Sequence, residues 1–460
     1  MIEGLKPYAE YKVSGSKWLG KVPVNWEVRN LRTLISKRSE RNHPDLPLLS
    51  VAREKGVFVR SMTDADENHN VIPEDLSNYK VARAGDLVIN KMKAWQGSMG
   101  IAPCDGIVSP AYFVFDFRIA NHTYGQRLLR SKPYVAHFCQ ASDGVRVGQW
   151  DLSIPGMRQI PVLLPPPDEQ AAIVRFLDHA NRKIDTFIRA KRKLIGLLNE
   201  QKQAIIHRAV TRGLNPDVAL KPSGIPWLGE IPKHWEVKRI KYLLREVDIR
   251  STTGTEPLLS MRMHHGLVIF SEHFTRPPQA ATLIGFKIVK PKQFVVNRMQ
   301  AGNGVIFPSC LNITGLVSPD YAVFDPILDV NVDYLGELFR SRTMRVKFRS
   351  ESKGLGTGTS GFMRLYNDRF GAIHIPLPPR TEQNTILIGI AEQSAGLNTA
   401  IARTEREIAL IQEYRTRLTA DIVTGKLDVR SIAKHLSEHG NPSETEIPAV
   451  VDDEEDLSET

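Results

Sequence analysis

The chain says much of itself twice. Residues 14–28 read SGSKWLGKVPVNWEV and residues 223–237 read SGIPWLGEIPKHWEV, so that Trp18 matches Trp227, Pro23 matches Pro232 and Trp26 matches Trp235. The correspondence runs on in order. PLLS at 47–50 returns at 257–260, Asn90-Lys91-Met92 as Asn297-Arg298-Met299, VSPAYFVF at 108–115 as VSPDYAVF at 317–324, and Arg130-Ser131 as Arg340-Ser341. IPVLLPPPDEQ at 160–170 returns as IPLPPRTEQ at 375–383, and each copy closes on a long polar–apolar stretch and a final TRGL or TGKL. A framework repeated in this way folds as two copies of one unit, each trailed by the same element. Between the anchors the copies part: EKGVFVRSMTDADENHNVIPEDL shares little with MHHGLVIFSEHFTRPPQAATLIG. Shared Trp, Pro and Gly hold one fold, while unlike loops suit unlike targets.

Composition narrows the class. The length of 460 residues fits two or three domains. A hydrophobic fraction of 42% supports real cores. The apolar runs are broken by Pro, Gly or charge before reaching the roughly 20 residues that span a bilayer. MIEGLKPYAEYK has no apolar core of a secretion signal, so a cytoplasmic, nucleoid-associated protein is expected. Cys104, Cys139 and Cys310 are far apart with no CxxC, which speaks against a disulfide framework or zinc ribbon and for free thiols. The net charge of +10 conceals an uneven distribution: Glu438 to Thr460 holds nine acidic residues and no Lys or Arg, so the rest carries 42 acidic against 61 basic residues, a balance of +19. A body this basic favours a polyanionic partner. Like charges and scarce apolar residues predict a disordered, solubilising tail.

Within one copy, a short helix is expected from Glu27 to about Lys37. Strand-like runs follow at Leu46–Val51, Val57–Arg60, Asp86–Asn90 and Tyr112–Phe117, and in the second copy at Leu258–Met263, Leu267–Phe270, Gln293–Asn297 and Tyr321–Phe324. Each globular part is therefore α+β. After Pro165-Pro166-Pro167 the chain to Arg212 has no Pro and a single glycine, Gly196, with Asp168, Glu169 and Gln170 suited to a first helical turn. Apolar residues fall at Ile173, Leu177, Ala180, Ile184, Phe187, Leu194, Leu198 and Ile205, interrupted by Lys191 and Gln201; the second copy gives Ile386, Ile390, Leu397, Ile401, Ile408, Ile411, Leu418 and Ile422. Narrow stripes of this length predict helices packed on one another or on a partner, antiparallel here, with a pseudo-twofold relation between the copies. Two readers held apart by such helices could address half-sites about 34 Å, one turn of B-DNA, apart.

With these strings in this order, the chain resembles the specificity (S) subunit of Type I restriction–modification systems over about residues 10–430. The resemblance implies two target recognition domains separated by long helices in an antiparallel coiled coil. It divides the chain into an N-terminal segment 1–24, recognition domain 1 at 25–160, a spacer helix and linker at 161–222, recognition domain 2 with its leading segment at 223–375, a second spacer helix at 376–430 and the acidic tail at 431–460. It further implies that the chain reads a bipartite, asymmetric double-stranded DNA site and scaffolds two methyltransferase (M) subunits and restriction (R) subunits. S-adenosylmethionine then belongs to the M subunit and ATP and Mg to the R subunit, with none bound by this chain. The GLGTGTSGF segment at 354–362 departs from the plainer form of the family.

The residues themselves offer binding rather than catalysis. The Pro-Pro pairs lack the Asn or Asp before and the Tyr or Phe after that a flipped-base methyltransferase pocket uses. Gly354, Gly356, Gly358 and Gly361 lack the Lys of a phosphate-cradling loop. Asp320 with Glu351-Ser352-Lys353 could make a nuclease-like set, but the first copy has Ala111 where the second has Asp320. Met263-His264-His265 and His273 have no accompanying thiolates or carboxylates for a metal. Candidate DNA contacts are Arg60, Lys91, Lys93, Trp95, Gln96 and Arg146 in the first copy and Arg298, Gln300, Asn303 and Arg364 in the second, since Lys and Arg neutralise phosphates and Arg, Gln and Asn pair with purine edges. Ile173, Leu177, Ile184, Leu194, Leu198, Ile205, Ile390, Leu397, Ile401, Ile408, Ile411 and Leu418 are the expected helix-packing positions. Trp18, Trp26, Trp227 and Trp235 are the expected anchors between globular parts and helix ends. Two alternatives stand beside this reading: a self-contained methyltransferase or nuclease, and a coiled-coil adaptor that never touches DNA.

Overall fold

The repeated Glu-Gln pair explains how each globular part is joined to its helix. In the computed structural model, which describes residues 5–436 other than 61–74, 147–148, 264, 275–276, 328 and 356–361, Gln170 donates to the Pro165 carbonyl at 2.8 Å and accepts the Asn121 amide at 3.1 Å. Gln383 does the same with Pro378 at 2.9 Å and Asn331 at 2.8 Å. Both glutamines are buried, and each ties the start of a long helix to an asparagine that caps a short one. The long helices are far beyond ordinary length, 46 and 44 residues. The first extends roughly 70 Å at 1.5 Å per residue. Their ends are equally alike: Gly213 and Gly425, from TRGL and TGKL, take φ values of +75° and +77°, the left-handed geometry in which glycine terminates a helix without strain.

The helices, in chain order, are α1 (His122–Leu129), α2 (Lys132–Gln140), α3 (Ile154–Arg158), the long α4 (Pro167–Arg212), α5 (Phe270–His273), α6 (Val332–Arg340), α7 (Arg342–Glu351), α8 (Asn367–Ala372), the long α9 (Arg380–Val423) and α10 (Arg430–Ala433). Contacts divide the described residues into two compact units, one made of those up to Lys191 and those from Arg406 to Leu436, the other spanning Arg192–Glu405. Each unit thus contains half of α4 and half of α9.

The first unit centres on a four-stranded antiparallel sheet in the order Ile35–Lys37, Tyr112–Phe117, Leu87–Asn90, Met99–Ile101. Around it lie antiparallel pairs of Leu49–Ala52 with Gly56–Val59, Lys80–Ala82 with Gly106–Val108, and Glu27–Asn30 with Pro161–Leu164. The second unit repeats this strand for strand: Leu244–Val247, Ala322–Pro326, Phe294–Val296, Ile306–Pro308 in the central sheet, with Leu259–Arg262 and Gly266–Ile269, Lys287–Val289 and Gly315–Val317, and Glu236–Arg239 and His374–Leu377 as the flanking pairs. The expected helix at Glu27–Lys37 is not formed. Glu27–Asn30 is a strand, Leu31–Thr33 one 3-10 turn and Ile35–Lys37 a second strand. Ladder bonds to Pro161–Leu164 and Phe115–Phe117, distant in sequence, outweigh the local preference.

In the first unit the core binds both chain ends. Tyr8, Val22 and Trp26 share one apolar cluster with Ile173, Phe176, Leu177 and Ala180 of α4, Leu418, Ile422 and Val423 of α9, and Ala433 of α10. Lys6 bridges Asp428. In the second unit the corresponding cluster draws on Ile206, Ala209 and Val210 of α4, Trp235, and Ile386 and Ile390 of α9. There the connection is unbroken chain; in the first unit it is split between the two termini. The tail from 437 lies outside the described residues.

Where the long helices meet within the first unit they run in opposite senses: Asp185 pairs with Arg415 at 2.6 Å and, six residues on, Lys191 with Glu407 at 2.7 Å. One stripe of unexposed positions on α9 runs through Ile386, Ile390, Ser394, Leu397, Ile401, Thr404, Ile408, Ile411, Arg415, Leu418 and Ile422, mostly in alternating steps of four and three. A matching stripe on α4 runs through Ile184, Ile188, Lys191, Ile195, Leu198, Lys202, Ile205 and Ala209. This is heptad spacing. It corrects the stripe expected on α4: Phe187 and Leu194 are 49% and 40% exposed, and Ile188 and Ile195 take their places in the seam.

Candidate nucleic-acid interface

The Asn-Lys-Met and Asn-Arg-Met strings build the same loop. Asn90 Oδ1 accepts the Met92 amide at 3.2 Å, and Asn297 Oδ1 accepts that of Met299 at 3.1 Å. The Asn90 amide closes the first loop on the Ser98 carbonyl at 3.0 Å, and the Asn297 amide closes the second on Val305 at 3.1 Å. Each loop contains one 3-10 turn, Ala94–Gln96 or Ala301–Asn303, ended by a glycine at φ +88° or +89°. Beside each lies a hairpin that sequence distance hides: Ser142–Arg146 with Gln149–Leu152, and Lys353–Leu355 with Phe362–Arg364. The Leu152 amide bonds to the Lys91 carbonyl and the Leu365 amide to that of Arg298, both at 2.9 Å. Loop and hairpin therefore form one surface in each unit.

The fold brings together most of the candidate contacts. In the first unit Lys91 pairs with Asp151 of the hairpin at 3.0 Å. Trp95 packs on Trp150 with ring centroids 5.1 Å apart and donates Nε1–H to the Met92 carbonyl at 3.1 Å. Lys93 is exposed and Gln96 half-buried. Arg146 stands on the hairpin, and Arg60, off the loop, lies close enough to Tyr112 to act on its phenol electrostatically. In the second unit Arg298 donates Nε–H to the Asp320 carbonyl at 2.8 Å. Burial pulls its guanidinium down and the charge of Arg364 adds to this. Arg364 has a buried Nε with no hydrogen-bond partner and lies over the Tyr366 ring at 5.8 Å. Asn303 donates Nδ2–H to Gln300 Oε1 at 2.7 Å.

The sequence reading missed a row of arginines behind the second loop. Arg342, Arg345 and Arg349 are three and four residues apart on α7, a spacing that puts them on one face. Burial lowers the Arg345 guanidinium, and Arg342 and Arg349 lower it further. No carboxylate among the described residues answers it, and its Nε is buried unpartnered. A half-buried Arg345 beside the exposed Arg342 and Arg349 suits an anion. Basic residues at helix spacing were the available sign, but only the fold shows that Arg345 and Arg349 back the loop at Gly304 and Gly302.

The four tryptophans divide by role. Trp26 is fully buried and donates to Glu169, in the first turn of α4, at 2.8 Å; that carboxylate also accepts Tyr8 Oη–H at 2.5 Å and Asn25 Nδ2–H at 2.8 Å. Burial and the adjacent carboxylate push the Tyr8 phenol up, so it remains a donor. Trp235 is fully buried too, but its Nε1 has no partner, and Glu382 pairs instead with His234 at 2.7 Å. Trp18 and Trp227 are partly buried against the clusters that take in the ends of the long helices. Trp18 packs on Tyr134 and His137 of α2, and Trp227 lines a cavity of about 470 Å³ with Lys347, Arg369 and His374.

Among the described residues no group of three or more His, Cys, Asp or Glu could hold a metal ion. His265 and His273 lie with rings 6.1 Å apart. Glu351 pairs with Lys347 and Arg369 rather than with Asp320. The glycines at 356, 358 and 361 lie outside the described residues. No described helix is long and apolar enough to cross a membrane.

A duplicated α+β module bearing a loop-and-hairpin surface, with two long helices in extensive contact, defines the class of protein. Comparison with known proteins converges on one kind. No protein-family model matches the chain. It is 21% identical over 450 residues to the "Putative type I restriction enzyme MjaX specificity subunit" of Methanocaldococcus jannaschii, covering 90% of this chain and 96% of that one. A solved structure concerned with complex assembly and conformational transition of the type I R-M system superposes with a TM-score of 0.56 at 14% identity, over 87% of this chain and 98% of that one. The HsdS subunit of Thermoanaerobacter tengcongensis is matched at 16% identity over 87% of this chain and 96% of that one, with a TM-score of 0.39.

Proposed function

We propose that this chain is the DNA-reading specificity subunit of a type I restriction–modification complex, and that it performs no chemistry itself. The observation that carries the reading is one frame with two contact chemistries. The same asparagine-closed loop and neighbouring hairpin present Lys93, Trp95 and Gln96 in one unit and Gln300, Gly302 and Asn303 in the other. Identical frames with unlike side chains suit two different half-sites. Cations around them position the protein on phosphates, and amides and guanidinium groups address base edges.

On this reading residues 25–160 and 223–375 are the two recognition domains, and the helices at 161–222 and 376–430 set the spacer between half-sites. The helices also supply docking surface for methyltransferase subunits, which restriction subunits join. Apolar side chains outside the seam support docking: Phe187, Leu194 and Leu197 of α4 are 49%, 40% and 53% exposed, and Leu410 of α9 is 64% exposed. S-adenosylmethionine, ATP and Mg then belong to the partner subunits.

The test is domain exchange. Replacing residues 25–160 by those of a relative with another target, followed by methylation mapping of the hybrid complex, should change one half of the modified site and leave the other intact. Change in both halves overturns the modular reading. Absence of DNA binding with the methyltransferase partner present overturns the function.

A further inference from the structure

Gln300, Asn303 and Arg349 are joined in a relay whose polarity is fixed by chemistry. Arg349 Nη2–H donates to Asn303 Oδ1 at 2.8 Å, and Asn303 Nδ2–H donates to Gln300 Oε1 at 2.7 Å. A guanidinium has donors and no acceptor. Asn303 must therefore turn its carbonyl to Arg349 and its amino group to Gln300, and Gln300 must receive it with its carbonyl. The amino group of Gln300 is left pointing away from the relay, with no partner among the described residues. The backbone beneath is held as well: the Gln300 carbonyl accepts the amides of Asn303 at 3.0 Å and Val305 at 3.2 Å, and Asn297 Oδ1 accepts the Gln300 amide at 3.3 Å.

The two copies differ here in a coupled way. The left-handed glycines that end both turns, Gly97 and Gly304, align Lys93 with Gln300, Trp95 with Gly302 and Gln96 with Asn303. The serines before α2 and α7, Ser131 and Ser341, align Cys139 with Arg349. Arg349 crosses the loop where residue 302 has no side chain: a Cβ there would lie 3.2 Å from Arg349 Cβ and 3.5 Å from its Nε. The first copy has the bulk of Trp95 in the loop and the short Cys139 on the helix. Glycine with arginine is thus exchanged for tryptophan with cysteine, and the relay belongs to the second copy alone.

We infer that Arg349 is a specificity-positioning residue: through Asn303 it locks Gln300 with its N–H donors outward, so that the second unit reads a base edge offering acceptors, guanine N7 and O6 foremost. The inference rests on the DNA-reading function proposed above. In the major groove guanine presents two acceptors, whereas cytosine presents the N4 donor, which an outward-facing amino group repels. An unlocked glutamine could turn over and accept from adenine N6 or cytosine N4; the relay removes that freedom.

The experiment is selection of duplexes from a random library by the full chain with its methyltransferase partner, comparing wild type with Asn303→Asp, Gln300→Glu, Arg349→Gln and Arg349→Lys. In Asn303→Asp the carboxylate accepts from both Arg349 and the Gln300 amino group, which turns Gln300 Oε1 outward. Gln300→Glu presents an acceptor by an independent route. Both variants should lose about 10-fold or more for guanine at one position of the second half-site and gain preference for a base with a donor edge, the size expected of one base contact. Arg349→Gln should relax that position, and Arg349→Lys, also a pure donor, should preserve it. Preference for the first half-site monitors folding in every variant. A wild-type complex without sequence preference defeats the DNA-reading function itself. A wild-type complex that selects a bipartite site, with Gln300→Glu and Arg349→Gln keeping the original base at every position, defeats the relay alone.

Discussion

At the scale of single residues, the two copies show what one hydrogen bond contributes inside the same frame. Trp26 and Trp235 occupy equivalent, fully buried sites, yet only Trp26 has a partner for its Nε1. Breaking a buried hydrogen bond leaves the other group unsatisfied at a cost of roughly 1–3 kcal/mol. Replacement by phenylalanine also removes volume at either site, so the two substitutions share that part of the loss. We predict that Trp26→Phe destabilises the chain more than Trp235→Phe, by roughly that margin, in paired calorimetric melts; equal losses would show that the Glu169 contact adds nothing. The sequence pairs the two tryptophans and both glutamates. It does not show that Glu382 pairs with His234, which stands where the first copy has Asn25, while Trp235 Nε1 is left without a partner.

At the scale of elements, the long helices are explained by their caps and their seam. Asp168 and Glu169 occupy the first turn of α4, and Gly213 and Gly425 follow the C-terminal ends of α4 and α9. All four were readable from type and position. The seam of α9 contains two buried polar residues, Ser394 and Thr404. Thr404 Oγ1–H bonds back to the Ala400 carbonyl at 2.8 Å, whereas Ser394 Oγ is buried without a partner. Ser394→Ala should therefore leave the full chain as stable or raise its melting temperature, since it removes an unsatisfied group and almost no packing. A clear loss of stability would mean that the hydroxyl is satisfied in solution. The α4 stripe shows how register escapes one-dimensional reading. Leu194 and Ile195 are adjacent and both apolar, and periodicity within α4 admits either. The facing helix chooses Ile195.

For the whole molecule, the proposed division of labour makes the long helices a spacer. Inserting one or two helical turns after Ala190, with a compensating insertion in α9, should lengthen the unread spacer of the methylated site and leave the bases of both half-sites unchanged. Methylation mapping of the variant decides this, and an unaltered spacer length counts against the role. The basic balance of +19 outside the tail acts at this scale too. It predicts affinity for DNA that falls steeply with salt whatever the sequence, while selectivity resides in the loops.

The sequence by itself determined the duplication, the α+β character of each copy, the two long helices with their ends, and the repetition of the loops after Asn90 and Asn297. All of these follow from local signals: a repeated string, a period, a capping residue, a run of charge. Only the tertiary structure decided that Glu27–Asn30 is a strand, because its ladder partner Pro161–Leu164 lies far along the chain. It alone placed the hairpin ending at Arg364 beside Arg298, and Arg349 against Asn303. These contacts join segments dozens of residues apart, and no local pattern specifies which distant side chain completes a hydrogen bond.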